Sequence, residues 1–464
     1  MTLDIPNAFL QTSMPTDAER TIMIIRGMLV DMLVEIAPEV YRDYVSYDGK
    51  KNKILYVSML KPLYGMMKAA ILYYKQFVKD ITEIDYTINP YEPCVANKMV
   101  DNHQHTLTWH VDDVKASHLN PKVNDEFEKW CENKYGSDIL GHVKVTRGKI
   151  HDYLGMTLDY SDKGKLKVDM RDYIRSMERE WPYEIKKESK PWNGNLFKID
   201  KNSKPLSEEV AKLCHRFIMK NMFLCKRGRS DVEVGISFLS GRVREPTEQD
   251  FKKLSRIINF LVTTINDVTT LEADDSGNLY WYIDASFAIH EENMRSHNGS
   301  MFTMGKGSII NGSAKQRKMA RSSTEAELNA VDERLSHVIW TKRFIENQNF
   351  NVKLNILFQD NTSNIKLLEN GKESSGKRTR HFNIRLFYAT DLINEKEVMV
   401  IYCPTDRMWA DYDSKPLVGA KFKLFRDMKM NLSDRHHLAG QQECVGELIN
   451  NKSLQGESNP QTSE

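Results

Sequence analysis

From about residue 276 onward, short runs rich in β-branched and aromatic residues alternate with amphipathic helical stretches. That order restricts this part of the chain to a mixed sheet with packed helices, an α/β arrangement. The strand-like runs are Asn278 to Asp284, Gly299 to Met304, Ser308 to Ser313, Lys353 to Phe358 and Val398 to Tyr402, with a long helix from Thr324. Within the first run Leu279, Trp281 and Ile283 share one face, and Asp284 falls on the other.

A chain of 464 residues exceeds what one core holds, since single cores stop growing at roughly 250 to 300 residues. The expected partition is a first domain over 1–120, a mainly helical region over 121–275, the mixed sheet over 276–420 and a tail over 421–464. Past about 440 the tail is poor in apolar residues and expected to be disordered. The middle region has a predicted strand from Lys149 to Asp159. It also has a predicted helix from Glu248 to Leu261, where Phe251, Leu254, Ile257, Ile258 and Leu261 recur at helical spacing.

The net charge of +2 neither demands nor excludes a nucleic-acid partner, so charge must be read locally. The six cysteines are scattered, without the paired spacings of a zinc site or a secreted disulfide framework. No apolar run approaches the roughly 20 residues that span a bilayer, and no basic stretch followed by an apolar one opens the chain. These features predict a soluble intracellular protein, cytoplasmic, particle-associated or nuclear, with no membrane partner.

Two groups of acids carry the chemistry. In the segment HTLTWHVDDVKASH, Leu107, Trp109 and Val111 alternate with polar residues up to the pair Asp112 and Asp113, as in two strands joined by a tight turn. Two unit charges about 4 Å apart interact by roughly 4 kcal/mol at an effective dielectric of 20, so converging carboxylates call for a cation or a proton. Asp4 ends a short β-like run before Pro6, where it could meet that hairpin tip. An acidic pair at a turn is also a common surface feature, and both readings stand at this point.

The second group is Asp284, Glu327, Asp360 and Asp411. Glu327 lies in the first turn of a helix opened by SSTEAE, Asp360 follows the run LNILF, and Asp411 stands in WADYDSKPL. Each also has an ordinary use: a capping box or dipole contact worth about 0.3 to 1 kcal/mol for the glutamates, a turn for Asp360, a solvated helix position for Asp411. Lysines and arginines at Lys315, Arg317, Lys377, Arg378, Arg380 and Arg385, with His381, border this group. Such stretches are solvated faces by default and hold phosphates beside a nuclease site.

The segments DIPNAFLQ, KPLYGMMKA, HVDDVK and YLGMTLDYS resemble, in order and spacing, the reverse transcriptase of copia-type retrotransposons. SSTEAEL, QDNTSNIKL, KRTRHFNIRL and PTDRMWADYDSKPL resemble the successive motifs of that family's ribonuclease H domain. The resemblance implies a reverse transcriptase palm of α+β type, a helical connection and a ribonuclease H-like mixed sheet. It implies Asp4 and Asp112 as magnesium ligands in the polymerase site, with Asp113 close by. In the ribonuclease H site it implies Asp284, Glu327, Asp360 and Asp411, while Glu325, Asp406 and Asp413 are expected to lie outside. Each site would take two Mg2+ ions, or Mn2+. The implied partners are RNA template, DNA primer, RNA–DNA hybrid and deoxynucleoside triphosphates, with the integrase and protease parts absent from this chain. His110 and Lys68 depart from the family pattern of an aromatic residue and a glutamine. Only Met1, Thr2 and Leu3 precede Asp4, so the expectation is a truncated fragment with a frayed first strand and weak polymerase activity. The alternatives are a non-catalytic relic, a domesticated nucleic-acid-binding protein or a stand-alone ribonuclease H.

Overall fold

The structure, a computed structural model, describes residues 1–15, 20–371 and 383–432. The chain divides into two compact units, Met1–Gly148 and Lys149–Glu464.

The first unit is built on an antiparallel sheet in the order Thr87–Ile88, Val95–Val100, His103–His110, Asp113–Ser117, Thr2–Asp4, Lys144–Thr146. The alternation around Trp109 forms the expected hairpin: Leu107 pairs with Ala116 and Trp109 with Val114, and all four are buried. Helices Ala69–Thr82 and Pro121–Tyr135 supply the rest of the core, with the Phe77 ring centroid 5.2 Å from Trp109. The strand Thr2–Asp4 is not frayed, contrary to expectation. It is interior to the sheet, where Leu3 pairs with Val114 on one side and Val145 on the other and is 3 % exposed. Partners more than a hundred residues away complete its ladder, and three residues suffice because both edges are bonded and the middle side chain is buried.

The second unit contains the mixed sheet, in the order Ile310–Lys315, Arg295–Thr303, Asn278–His290, Leu354–Gln359, Met399–Tyr402. The first three strands are antiparallel and the last two run parallel to Asn278–His290. Leu279, Trp281 and Ile283 face the long helix Ser323–Asn347, while Tyr280 and Tyr282 face the helices Glu208–Cys225, Glu233–Ser240 and Glu248–Thr263. The helical stretch and the sheet therefore share one continuous core within the second unit. The predicted helix at Glu248 is capped by a reciprocal box between Thr247 and Asp250.

Two elements differ from expectation. The run Lys149 to Asp159 is a hairpin, Ile150–Tyr153 with Met156–Asp159, because Leu154 and Gly155 both take positive φ, at 51° and 75°. Residues from 421, expected to begin a tail, belong instead to the helix Gly419–Met430, whose Phe422, Phe425 and Met430 are buried. Residues past 432, including the stretch expected to be disordered, lie outside the described residues.

One close approach matters for the site. Gly299 pairs with Asp284 across the sheet, and the short helix Asp411–Ser414 lies directly over it. A methyl group there would come 2.3 Å from the Ala410 carbonyl oxygen and 2.5 Å from the Ser414 nitrogen. Both obstacles are backbone, so the strain cannot be relieved by a rotamer change. We expect Gly299→Ala to cost about 1–3 kcal/mol, the usual range for overpacking, read as a lower midpoint in chemical unfolding. An unchanged midpoint would refute this packing.

Candidate metal centre

Three acids from three elements converge beside the middle of the strand Asn278–His290, where its parallel neighbour Leu354–Gln359 ends. Asp284 is carried by that strand. Glu327 sits in the second turn of the helix that Ser322 caps by accepting the Glu325 N–H at 3.1 Å, and Asp360 follows the parallel strand Leu354–Gln359. One carboxylate oxygen from each lies within 4.8 Å of the other two. Parallel pairing of Tyr282 with Phe358 sets Asp284 level with the residue that follows the shorter strand, Asp360, and the capped helix start is held against the same place.

The charge is poorly compensated. Asp284 and Glu327 are 2 % and 4 % exposed, and Asp360 is half-buried. Burial, the main cause, pushes the Asp284 carboxyl up to about 7; Asp411 and Asp360 add to this, while Lys415 and the Ser414 hydroxyl oppose it. Burial together with Asp284 and Asp360 lifts Glu327 well above the usual carboxylate range, against a backbone hydrogen bond from Ala285. Glu327 Oε2 is buried without a hydrogen-bond partner among the described residues. An orphaned oxygen on an acid that converges with two others fits a hard divalent cation, which takes oxygen ligands and supplies the missing charge.

The polar groups around the triad orient it. Ser414 Oγ donates to Asp284 Oδ2, and Thr405 Oγ1 donates to Asp360 Oδ2 at 3.0 Å. Asp411 is not among the three converging acids. Its carboxylate, 1 % exposed, is held by Lys415 Nζ on Oδ1 and Lys421 Nζ on Oδ2, each at 2.5 Å. Lys415 Nζ also lies 3.7 Å from Asp284 Oδ2. Ser414, Lys415 and Lys421 were not singled out in the sequence, although the i, i+4 spacing of Asp411 and Lys415 was a readable signal.

Glu325 accepts the Arg321 N–H at its helix start, and Asp413 is buried against Lys429 at 2.5 Å. Lys315 ends the strand Ile310–Lys315, and Arg317 follows it on the surface. Lys377, Arg378, Arg380 and His381 lie outside the described residues; Arg385 lies in the helix Asn383–Asn394.

In the first unit, Asp4 pairs with Asp113 across the sheet, and the Ile5 N–H donates to the Asp112 carbonyl at 3.1 Å. The two-residue turn is Val111–Asp112, with Val111 held at φ 58°, a left-handed conformation that costs a β-branched side chain energy. All three acids are half-buried. Burial and then Asp112 raise Asp4, against Lys144 at 4.0 Å; burial, Asp112 and Asp4 raise Asp113. Tyr64 Oη donates to Asp112 Oδ2 at 3.4 Å. These three mutually repelling acids do not close to the spacing of the second group.

No family model matches the chain. It is 26% identical over 394 residues to the retrovirus-related Pol polyprotein from transposon TNT 1-94 of Nicotiana tabacum, covering 82% of this chain and 28% of that one. It is 24% identical over 289 residues to the putative transposon Ty5-1 protein of Saccharomyces cerevisiae, covering 60% of this chain and 87% of that one. It is 22% identical over 407 residues to the transposon Ty1-NL2 Gag-Pol polyprotein of the same yeast, covering 85% of this chain and 23% of that one. The chain thus spans about a quarter of the two long polyproteins. Its homologues are Pol polyproteins of copia- and Ty1-type retrotransposons.

Proposed function

We propose that the second unit is a ribonuclease H, hydrolysing the RNA strand of an RNA–DNA hybrid and leaving a 3′-hydroxyl. The convergence of Asp284, Glu327 and Asp360, with one Glu327 oxygen buried and unpartnered, is the observation that carries this reading. These three side chains would hold a divalent cation, Mg2+ or Mn2+. When bound, such an ion activates a water for attack at phosphorus and takes up charge on the departing oxygen. The protein's part is positioning: Ser414 fixes Asp284, Thr405 fixes Asp360, and the capped helix start fixes Glu327. Lys315, Arg317 and the basic stretch from Lys377 to Arg385 would hold phosphates of the hybrid without reading sequence. The domain partition of palm, connection, ribonuclease H and tail belongs to the same reading.

We further propose that Asp4, Asp112 and Asp113 serve an RNA-directed DNA polymerase site in the first unit, taking RNA template, DNA primer and deoxynucleoside triphosphates with a divalent cation. The cross-sheet pairing of Asp4 with Asp113, in a strand bonded on both edges, supports that assignment.

Purified chain should cleave RNA in a hybrid when magnesium or manganese is present. Asp284→Asn or Asp360→Asn should each lower the rate by orders of magnitude, since each removes a ligand. Full cleavage by both variants would sink the assignment. Primer extension on an RNA template should vanish in Asp112→Asn while hybrid cleavage persists.

The buried acids also set a pH dependence. An unfolded aspartate titrates near about 4, whereas Asp284 in the folded chain titrates at about 7. The folded state thus holds the extra proton, and this contribution to stability, complete below about pH 4, is lost as pH rises through about 7. In EDTA, the melting temperature of the wild-type chain should fall more between pH 5 and 8 than that of Asp284→Asn. Mg2+ or Mn2+ should raise it most at the alkaline end, because the cation binds the deprotonated form. Parallel pH curves for the two proteins would contradict the assigned titration.

A further inference from the structure

We propose that Lys421, on the helix Gly419–Met430, is a positioning residue of the acidic centre: its ammonium ties Asp411 to the loop that holds Asp360. This deepens the ribonuclease H reading and rests on its ligand set.

The helix belongs to the nuclease unit by packing and by charge. Its Phe422 and Phe425 share a core with Trp409 and Tyr412, and the Phe422 and Tyr412 rings stack at 5.7 Å. Three of its cations reach buried acids: Arg426 reaches Asp231, Lys429 reaches Asp413 and Lys421 reaches Asp411. Asp411 stands next to the triad, since a single ammonium, Lys415 Nζ, lies 2.5 Å from its Oδ1 and 3.7 Å from Asp284 Oδ2.

Lys421 Nζ donates to Asp411 Oδ2 at 2.5 Å and to the Thr405 carbonyl at 3.0 Å, and it lies 5.0 Å from the centroid of the buried Phe425 ring. Thr405 in turn donates through its hydroxyl to Asp360 Oδ2 at 3.0 Å. Lys421 thus holds two acids at once, Asp411 directly and Asp360 through one residue. Asp411 Oδ1 is buried and enters no hydrogen bond among the described residues, in spite of the nearby Lys415. One oxygen of Asp411 is therefore fixed by Lys421, and the other stays open to an ion.

The placement of the lysine is unfavourable for the helix itself. Lys421 lies in the first turn, where no side chain caps the start and the aligned peptide dipoles disfavour a cation. Asp411 and the Thr405 carbonyl offset that cost.

Loss of a positive charge beside a cation site has two opposite consequences. A lysine that acted only as a nearby charge would, when removed, let a cation bind more tightly. A lysine that holds ligands in place would, when removed, weaken binding.

The full chain is stripped with EDTA and titrated with Mn2+, free ion being followed by electron paramagnetic resonance. The binding that counts is the part that Asp284→Asn abolishes. Lys421→Met should weaken it by roughly 10–100-fold, the range for loss of a group that orients a metal ligand. The same variant should lower kcat for hybrid cleavage by about a hundredfold, as a ligand misplaced by about 1 Å does, with the KM for hybrid unchanged. Lys421→Arg, whose guanidinium can donate to both acceptors, should restore most of the binding and of the rate. Unchanged or tighter Mn2+ binding in Lys421→Met would overturn the proposal while leaving the ligand set intact. A raised KM at unchanged kcat would make Lys421 a phosphate contact and overturn it too. Absence of any Mn2+ binding sensitive to Asp284→Asn would overturn the ligand set and this proposal together. Should Lys421→Met not fold, Lys421→Gln is read by the same criteria.

Discussion

Repulsion among the carboxylates gathered at Asp284, midway along the strand Asn278–His290, is the constraint around which the second unit is arranged. Several other buried acids in this unit are paired with a cation. Asp231, fully buried, takes two hydrogen bonds of 3.0 Å from Arg229 and another of 2.8 Å from Arg426, which hold its carboxyl well below the usual range. Asp250 has Arg242 at 2.6 Å, Asp413 has Lys429 at 2.5 Å, and Glu233 has Lys226. Asp284 and Glu327 are as deeply buried, and burial pushes both of them up, as it does Asp413 despite Lys429. What sets Asp284 and Glu327 apart is their convergence with a third acid, Asp360, a repulsion that a cation from outside the chain would relieve.

The rest of the sheet makes that arrangement affordable to build. Trp281 and Phe302 stack at 4.9 Å on the helix side, and Tyr282 stacks on Phe358 at 4.6 Å and on Trp409 at 4.7 Å on the other. Aromatic packing of this density fixes the two central strands against one another over several residues, so their ends meet in one register only. Gly299 then lets the Asp411–Ser414 turn approach the sheet closely enough for Ser414 to reach Asp284. Positioning of the acids is a result of packing at a distance from them.

Much of this was legible in the sequence, for identifiable reasons. The strand carrying Asp284, the capped start of the helix carrying Glu327 and the hairpin around Trp109 follow from local periodicity and capping chemistry, although that strand does not close at Asp284 as expected but runs on to His290. What was missed depends on partners remote in sequence. Thr2–Asp4 looks too short to hold until residues 113–117 and 144–146 bond both its edges. The helix Gly419–Met430 reads as a charged tail because Lys429, one of its charges, is 1 % exposed and answers Asp413. Gly155 marked a turn inside a run taken as one strand, and there the signal was present but overlooked.

The contrast between the two acidic groups follows from the same physics. Asp4, Asp112 and Asp113 stand at the end of a short strand and at a tight turn, half-buried, where water screens much of their repulsion and a strained Val111 sets the turn. Asp284 and Glu327 have no such screening, so their geometry must be fixed by neighbours and their charge met by a proton or a cation. Thr405, Lys421, Asp411, Lys415 and Ser414 form a nearly continuous polar path from Asp360 round to Asp284. Asp411 is enclosed, while Lys415 and Lys421 keep about a third of their side chains exposed, at 33% and 36%, so the path runs from the buried acid to the surface.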